Sequence, residues 1–160
     1  MSLENVRNYL KQFDLDKNIN EFDTSSATVS LAAKALNTNE NRIAKTLAFK
    51  TPDNGCVLIC TAGDAKVDNK KFKDFFSFKA KMLSPDEVIN FTGHAVGGVC
   101  PFAIENKNVK IYLDESLKRF ETVFPACGSS NSAIELDLNT LFKISNAASY
   151  IDVCKICEQV

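Results

Sequence analysis

Histidine is nearly absent: the 160 residues contain one, His94. A four-ligand zinc centre would therefore have to draw on cysteine, and a Cys-His or Ser-His-Asp apparatus has a single imidazole to use. Long hydrophobic runs are missing too. Nothing approaches the ~20 apolar residues that span a bilayer, and the opening stretch MSLENVRNYLKQFD lacks the charged-then-apolar pattern of an export signal. These absences predict a cytoplasmic protein with no membrane partner. There is no excess of positive charge, since 19 Lys and Arg face 20 Asp and Glu for a net charge of −1. A duplex-coating protein is usually strongly basic, so any nucleic-acid contact here has to be local. No repeat, low-complexity segment or Pro/Gly/Ser-rich linker divides the chain, and residues 1–160 read as one domain.

What is present suits a globular core: 45% hydrophobic and 24% charged residues. The six cysteines stand at 56, 60, 100, 127, 154 and 157. Without an export signal they read as reduced thiols. Cys56 and Cys60 flank an apolar VLI, where small hydrophobes pack. Cys154 and Cys157 form a C-x-x-C at the end of the chain, away from the strand-to-helix start that thioredoxin-like chemistry uses. The expectation is structural thiols, no metal and no cofactor.

The element pattern is mixed. Leu3, Val6, Leu10 and Phe13 recur at helical spacing and predict an amphipathic helix over 2–13. A short strand is expected near 19–23. Thr28 reads as the N-cap of a helix through Leu36. Strands at 46–50 and 56–62 flank the turn residues Pro52 to Gly55 and predict a hairpin. VDNKKFKDFF reads as a helix and FKAKML as a strand. SPDEVINFTG carries Ser84 as N-cap, Pro85 at N1, Glu87 to complete a capping box and Gly93 as the stop. Further strands are expected at 109–113, 122–126, 133–137 and 149–153, and short helices at 115–120 and 138–144. Irregular alternation with hairpins predicts a mixed α/β domain with a mixed or antiparallel sheet and flanking helices.

Four stretches can carry chemistry. In RIAKTLAFK, Lys45 shares strand parity with Leu47 and Phe49, and an ammonium on a core-facing side needs a partner or must snorkel to water. In GDAKVDNKKFK, a strand end turns into a helix, and Asp64 and Lys66 sit in the turn. Lys70, Lys71 and Lys73 follow and supply local positive charge, which Asp64, Asp68 and Asp74 partly balance on a solvated helix face. In GHAVGGVCPF, His94 and Cys100 are six apart, so a thiol–imidazole pair is conceivable. However, Pro101 biases Cys100 to an extended conformation. Gly97 and Gly98 favour another reading, a rigid loop with φ > 0 that brings its amides up to a ligand. A tight structural turn is the plain alternative. In PACGSSNSAIELD, Gly128, Ser129 and Ser130 begin a small polar connection that is either a simple turn or a pocket wall.

Taken in order, ATVSLAAKAL, RIAKTLAFK, GDAKVDNKKF, SPDEVINFTGHAVGGVCPF, IYLDESL and PACGSSNSAIEL resemble the YbaK/EbsC family, free-standing relatives of the editing domain of bacterial prolyl-tRNA synthetases. The resemblance covers residues 25–140 or so. It implies a curved mixed sheet around one pocket. It also implies hydrolysis of mischarged aminoacyl-tRNA carrying a small amino acid such as Ala, Cys, Ser or Thr, by a bound water and a substrate ribose hydroxyl, without metal or cofactor. Lys45 matches the family's functional lysine. Gly97 to Pro101, with Gly98 and Val99 between, match its glycine-x-x-x-proline loop, and Gly128, Ser129 and Ser130 a further wall. On this reading Lys45, Gly97 and Gly98 are the catalytic candidates. Val99, Pro101, Asp64, Lys66, Gly128, Ser129 and Ser130 contact the substrate, and Lys70, Lys71 and Lys73 contact RNA. The implied partners are the acceptor end of tRNA and an aminoacyl-tRNA synthetase. Two alternatives stand beside it: a non-catalytic module holding an amino acid or a tRNA end, and a hydrolase dependent on Cys100 and His94.

Overall fold

The computed structural model describes residues 2–157. Helix α1 (Ser2–Lys11) buries Val6 and Leu10, the centre of its apolar stripe. It ends at Lys11, before the expected last residue Phe13, and Asp14 at φ +59 turns the chain away. After β1 (Asn20–Glu21), Thr28 caps α2 (Val29–Leu36), its side chain accepting from the Leu31 N–H. The hairpin forms from β2 (Ile43–Lys50) and β3 (Cys56–Ala62), and β4 (Ala65–Val67) follows at once.

Asp68 caps α3 (Asn69–Phe76). Helix α4 (Pro85–Thr92) has the full capping box of Ser84 and Glu87, and Gly93 ends it at φ +76. Then come β5 (Val109–Asp114), a 3-10 turn (Glu115–Arg119), β6 (Thr122–Pro125), β7 (Ser132–Ala133), β8 (Leu136–Asp137), α5 (Leu138–Ile144), β9 (Tyr150–Ile151) and β10 (Cys154–Ile156).

The central sheet has six strands in the order β8-β6-β2-β3-β5-β9. It is mixed: β2 pairs antiparallel with β3 and parallel with β6, while β3–β5 and β5–β9 are parallel. Successive side chains of a strand face opposite ways, and the packing follows that alternation. Phe49 on one face packs against Phe72 of α3, the rings tilted and their centroids 5.0 Å apart. Ala48 and Leu58 on the other pack with Leu83 and Val88 of the α4 region. Helix α2 covers the edge, where Ala32 and Ala33 meet Ile43 and Phe124.

Several expectations change. The segment 78–83 does not form a strand of its own; it contributes one bridge, Met82 to Phe49. The expected strand at 133–137 splits, β7 pairing with β1 and β8 with β6. The expected strand at 149–153 shortens to Tyr150–Ile151, and a further strand, β10, pairs with β4. The C-x-x-C begins in β10, with Cys154 buried and Cys157 exposed. Burial pushes the Cys154 thiol up to about 12. Among the described residues no group of three His, Cys, Asp or Glu side chains could hold a metal ion, and no helix is long and apolar enough to cross a membrane.

Candidate active site

Strand β2 uses its two edges unequally. Toward β3 it is paired along its length, from Ala44 opposite Ala62 to Lys50 opposite Cys56. On the outer side, the ladder to β6 covers only Ile43 and Ala44. At the far end the 81–83 segment takes over. The Lys50 N–H donates to the Lys81 carbonyl at 2.8 Å, and the Leu83 N–H to the Ala48 carbonyl at 3.1 Å. Between these two partners lies a cleft of about 300 Å³, at the small end of the ~300–1,000 Å³ usual for ligand sites.

The cleft walls come from four directions. Residues 26–29 and Ala32 bring in the start of α2. Leu83 and Val88 come from the α4 side, Val96, Gly97 and Val99 from the glycine loop, and Phe124, Ala126 and Ser132 from the β6–β7 connection. The lining is mostly apolar. Its polar residues are Ser26, Thr28, Lys45, Thr46 and Ser132, with the backbone between them. Thr46 Oγ1 is buried and makes no hydrogen bond of normal geometry among the described residues, although the Cys60 thiol opposite it is close enough to feel the hydroxyl.

Of the residues singled out from the sequence, Lys45, Gly97 and Val99 line this cleft. Lys45 is partly buried, and its Nζ lies 3.5 Å from the Gly63 carbonyl. Asp64 does not line the cleft: Arg119 grips it with two bonds of 3.0 and 2.6 Å. That guanidinium, more than any other neighbour, holds the Asp64 carboxyl below its usual value. Lys66 is exposed on β4, opposite Lys155 of β10.

The two glycines differ. Gly97 has φ +98, a conformation that L side chains rarely adopt. Gly98 lacks a positive φ, contrary to expectation, and does not line the cleft. It is a glycine for want of space: a Cβ there would sit 2.7 Å from the Ser129 nitrogen and 2.8 Å from the Gly128 carbonyl carbon. Pro101 is also turned away, lining a separate cavity with Tyr9 and Ile111.

The third loop supports the walls more than it forms them. Gly128, at φ +91, abuts Ser2 of α1. The Ser129 hydroxyl donates to Asn131 Oδ1 at 2.9 Å and meets Ser132 Oγ at 2.6 Å. The Ser130 carbonyl accepts from the Ser26 N–H at 2.6 Å and so ties this loop to the approach to α2. On α3, Lys70 pairs with Asp74 at 3.0 Å, and Lys71 with Asp152 at 3.0 Å and the Cys154 carbonyl at 3.1 Å. Lys73 is exposed.

His94 and Cys100 lie behind the loop. Their relative exposures of 1% and 0% shut both from solvent. His94 Nε2 lies 2.8 Å from the Phe102 carbonyl, which can only accept, so Nε2 carries the proton. Nδ1 then accepts from the Ser2 hydroxyl. Burial pushes the His94 pKa down and the Cys100 thiol up to about 12. The thiol is 3.5 Å from Nε2, but that nitrogen is already committed to a carbonyl. A nucleophile needs a base with a free lone pair and a path to the substrate, and this pair has neither.

The cleft residues missed by sequence reading include Thr46, Leu47, Leu83, Val88, Val96 and Phe124. Apart from the apolar character of 43–49, no local signal marks them; they meet only because β6 and the 81–83 segment diverge along β2.

Residues 23–144 match the family described as the aminoacyl-tRNA editing domain. The chain is 52% identical over 155 residues to the uncharacterized protein YwhH of Bacillus subtilis (strain 168), covering 97% of this chain and 98% of that one. It is 28% identical over 131 residues to a proline–tRNA ligase of Exiguobacterium sibiricum, covering 81% of this chain but 22% of the ligase. A solved structure described as a candidate trans-editing enzyme for prolyl tRNA synthetase superposes with a TM-score of 0.85 at 24% identity, over 96% of this chain and 97% of that one. That likeness establishes the mixed α/β fold with its curled sheet. With a family match over most of its length, the chain belongs to the aminoacyl-tRNA editing domain family.

Proposed function

We propose that the protein, acting as one editing unit over residues 1–160, deacylates mischarged aminoacyl-tRNA carrying a small amino acid such as Ala, Cys, Ser or Thr. The observation that carries this reading is the cleft: small, largely apolar, reached by Lys45 and Gly97, and set within the residues that match the editing family. Water attacks the ester carbonyl carbon, the bond to the terminal ribose oxygen breaks, and that oxygen leaves with a proton. The products are the free amino acid and the uncharged tRNA.

An aminoacyl ester is already activated, so positioning and a few oriented dipoles supply much of what remains. The attacking water is oriented by the neighbouring ribose hydroxyl of the substrate. This chemistry needs neither the His94 imidazole nor the Cys100 thiol, in keeping with their burial. Lys45 contacts the phosphate or ribose of the terminal nucleotide. Lys70, Lys71 and Lys73 hold the acceptor stem by charge, which positions RNA without reading its sequence. The setting is the cytoplasm, where charged tRNA is made, and an aminoacyl-tRNA synthetase is the natural partner.

A panel of tRNAs mischarged with Ala, Cys, Ser and Thr, scored for release of the amino acid, tests the reading and names the substrate. Binding of the tRNA end without any release would make the protein a carrier and overturn the assignment as an enzyme.

A further inference from the structure

Among the described residues, the outer edge of β2 leaves one residue without a partner on that side. In an antiparallel strand the N–H and C=O of one residue point to the same side, and the side alternates from residue to residue. The Ala48 carbonyl and the Lys50 N–H both point outward, toward 81–83. By alternation, the N–H and C=O of Thr46 point outward as well. The β6 ladder stops at Ala44–Pro125 and the 81–83 segment starts at Ala48, so neither reaches Thr46. Thr46 lines the cleft, and its outward peptide groups open into it. The sheet therefore has a gap one residue long, and the gap coincides with the candidate active site.

An aminoacyl ester has the groups to fill it. Its α-ammonium and ester carbonyl stand in the same relation as the N–H and C=O of a strand residue. Two residues directly opposite in an antiparallel pair exchange both bonds, and extended ligands add to open sheet edges in this way. Resting on the editing function proposed above, we propose that the aminoacyl group binds as a one-residue strand against β2, its α-ammonium donating to the Thr46 carbonyl and its ester carbonyl accepting from the Thr46 N–H.

Opposed residues in such a pair put their side chains on the same face. The substrate side chain then lies on the face of Ala48, against Leu83, Val88 and Val99. Thr46 becomes a substrate-positioning residue through its backbone. The site reads the α-amino acid before it reads the side chain.

The test compares alanyl-tRNA with propionyl-tRNA, which lacks only the ammonium. Each enzymatic rate is divided by the spontaneous hydrolysis rate of the same ester. The corrected kcat/KM should be at least about tenfold higher for the alanyl ester, as expected for loss of one charge-assisted hydrogen bond. Equal corrected values overturn the proposal while leaving deacylation itself intact. A parent protein that releases no amino acid from any mischarged tRNA brings down the editing function instead, and this inference with it.

A second arm removes the Thr46 N–H. Proline is tolerated at an edge position whose N–H faces out of the ladder. Thr46→Pro should lower kcat/KM about tenfold on both esters and leave their ratio unchanged, because the carbonyl remains. A third measurement keeps the parent sequence. Saturation with 3′-alanylamino-3′-deoxyadenosine, whose amide resists hydrolysis, should slow hydrogen exchange of the Thr46 amide about tenfold or more. An unchanged exchange rate at saturation overturns the proposal, even if the proline variant fails to fold.

Discussion

The glycine loop separates two regions of opposite character. Behind it, Ser2, His94, Cys100 and the Phe102 carbonyl form a buried polar cluster whose imidazole is bonded on both nitrogens. In front of it, the cleft is open and mostly apolar, with Lys45, a few hydroxyls and the bare edge of β2 as its polar features. Residues that look reactive in a sequence have gone to the closed side. The open side offers groups with weak reactivity but fixed positions. A buried group with all its bonds made stabilises a fold; a positioned group with a bond to spare can receive a ligand.

The strongest way to break this division is to overfill the loop. Gly98→Val pushes atoms into the Gly128–Ser129 backbone, and overpacking against a backbone that cannot yield costs about 3 kcal/mol. Melting temperature and deacylation should fall together. A stable but inactive Gly98→Val would place this glycine on the cleft side instead.

Lys45→Ala comes next. It removes a positioned charge with little core volume, so circular dichroism and melting temperature should hold while deacylation falls about tenfold or more. Arginine should rescue only in part, since its planar fork cannot occupy an ammonium's place. Parental rates in the alanine variant would remove Lys45 from the mechanism.

The closed side should answer in stability alone. Cys100→Ala is expected to keep at least about a third of parental activity and to cost about 1 kcal/mol of stability. Loss of several orders of magnitude in rate would restore a nucleophile. His94 gives a pH signature. Its folded pKa lies below the unfolded value, so as pH falls through the ordinary histidine range the unfolded chain takes up a proton before the native one does. Its contribution is whole above that range and is lost as pH falls toward the folded pKa. Between about pH 7 and 5, the melting temperature should drop more steeply in the parent than in His94→Gln.

The smallest effect belongs to α3. Lys70 and Lys71 are in exposed ion pairs, which water and salt screen. Reversing both charges should leave the melting temperature within a few degrees. It should weaken tRNA binding and flatten its salt dependence, with hydrolysis of a short aminoacyl-nucleotide nearly unchanged. Equal losses on both substrates would move these lysines into the cleft.

How much of this was legible depends on the range of the cause. Helix α4 could be read almost to the residue, because Ser84, Pro85, Glu87 and Gly93 act within one turn of the ends they define. The Thr28 cap of α2 is equally local. The hairpin of β2 and β3 was visible in two apolar runs around a turn. Lys45 could be singled out because strand parity is a local property. The site was legible only in part. Gly98 was read as a conformational glycine, but its need comes from the backbone of a distant loop, Gly128–Ser129. Asp64 was assigned to the substrate, but Arg119, 55 residues on, takes both its oxygens. Pro101, one residue beyond a buried cysteine, faces another cavity.

By itself, then, the sequence determined where the well-capped helices begin and end, which strands form the hairpin, and that no long apolar span or surplus of positive charge governs the protein. Caps, turns and periodicities act over a few residues, and their physics is written in neighbouring side chains. Only the tertiary structure decided which side of the glycine loop each polar group occupies, and that β6 and the 81–83 segment part company at Thr46. Those outcomes depend on how distant segments share one sheet edge, and no short-range pattern encodes the space left between them.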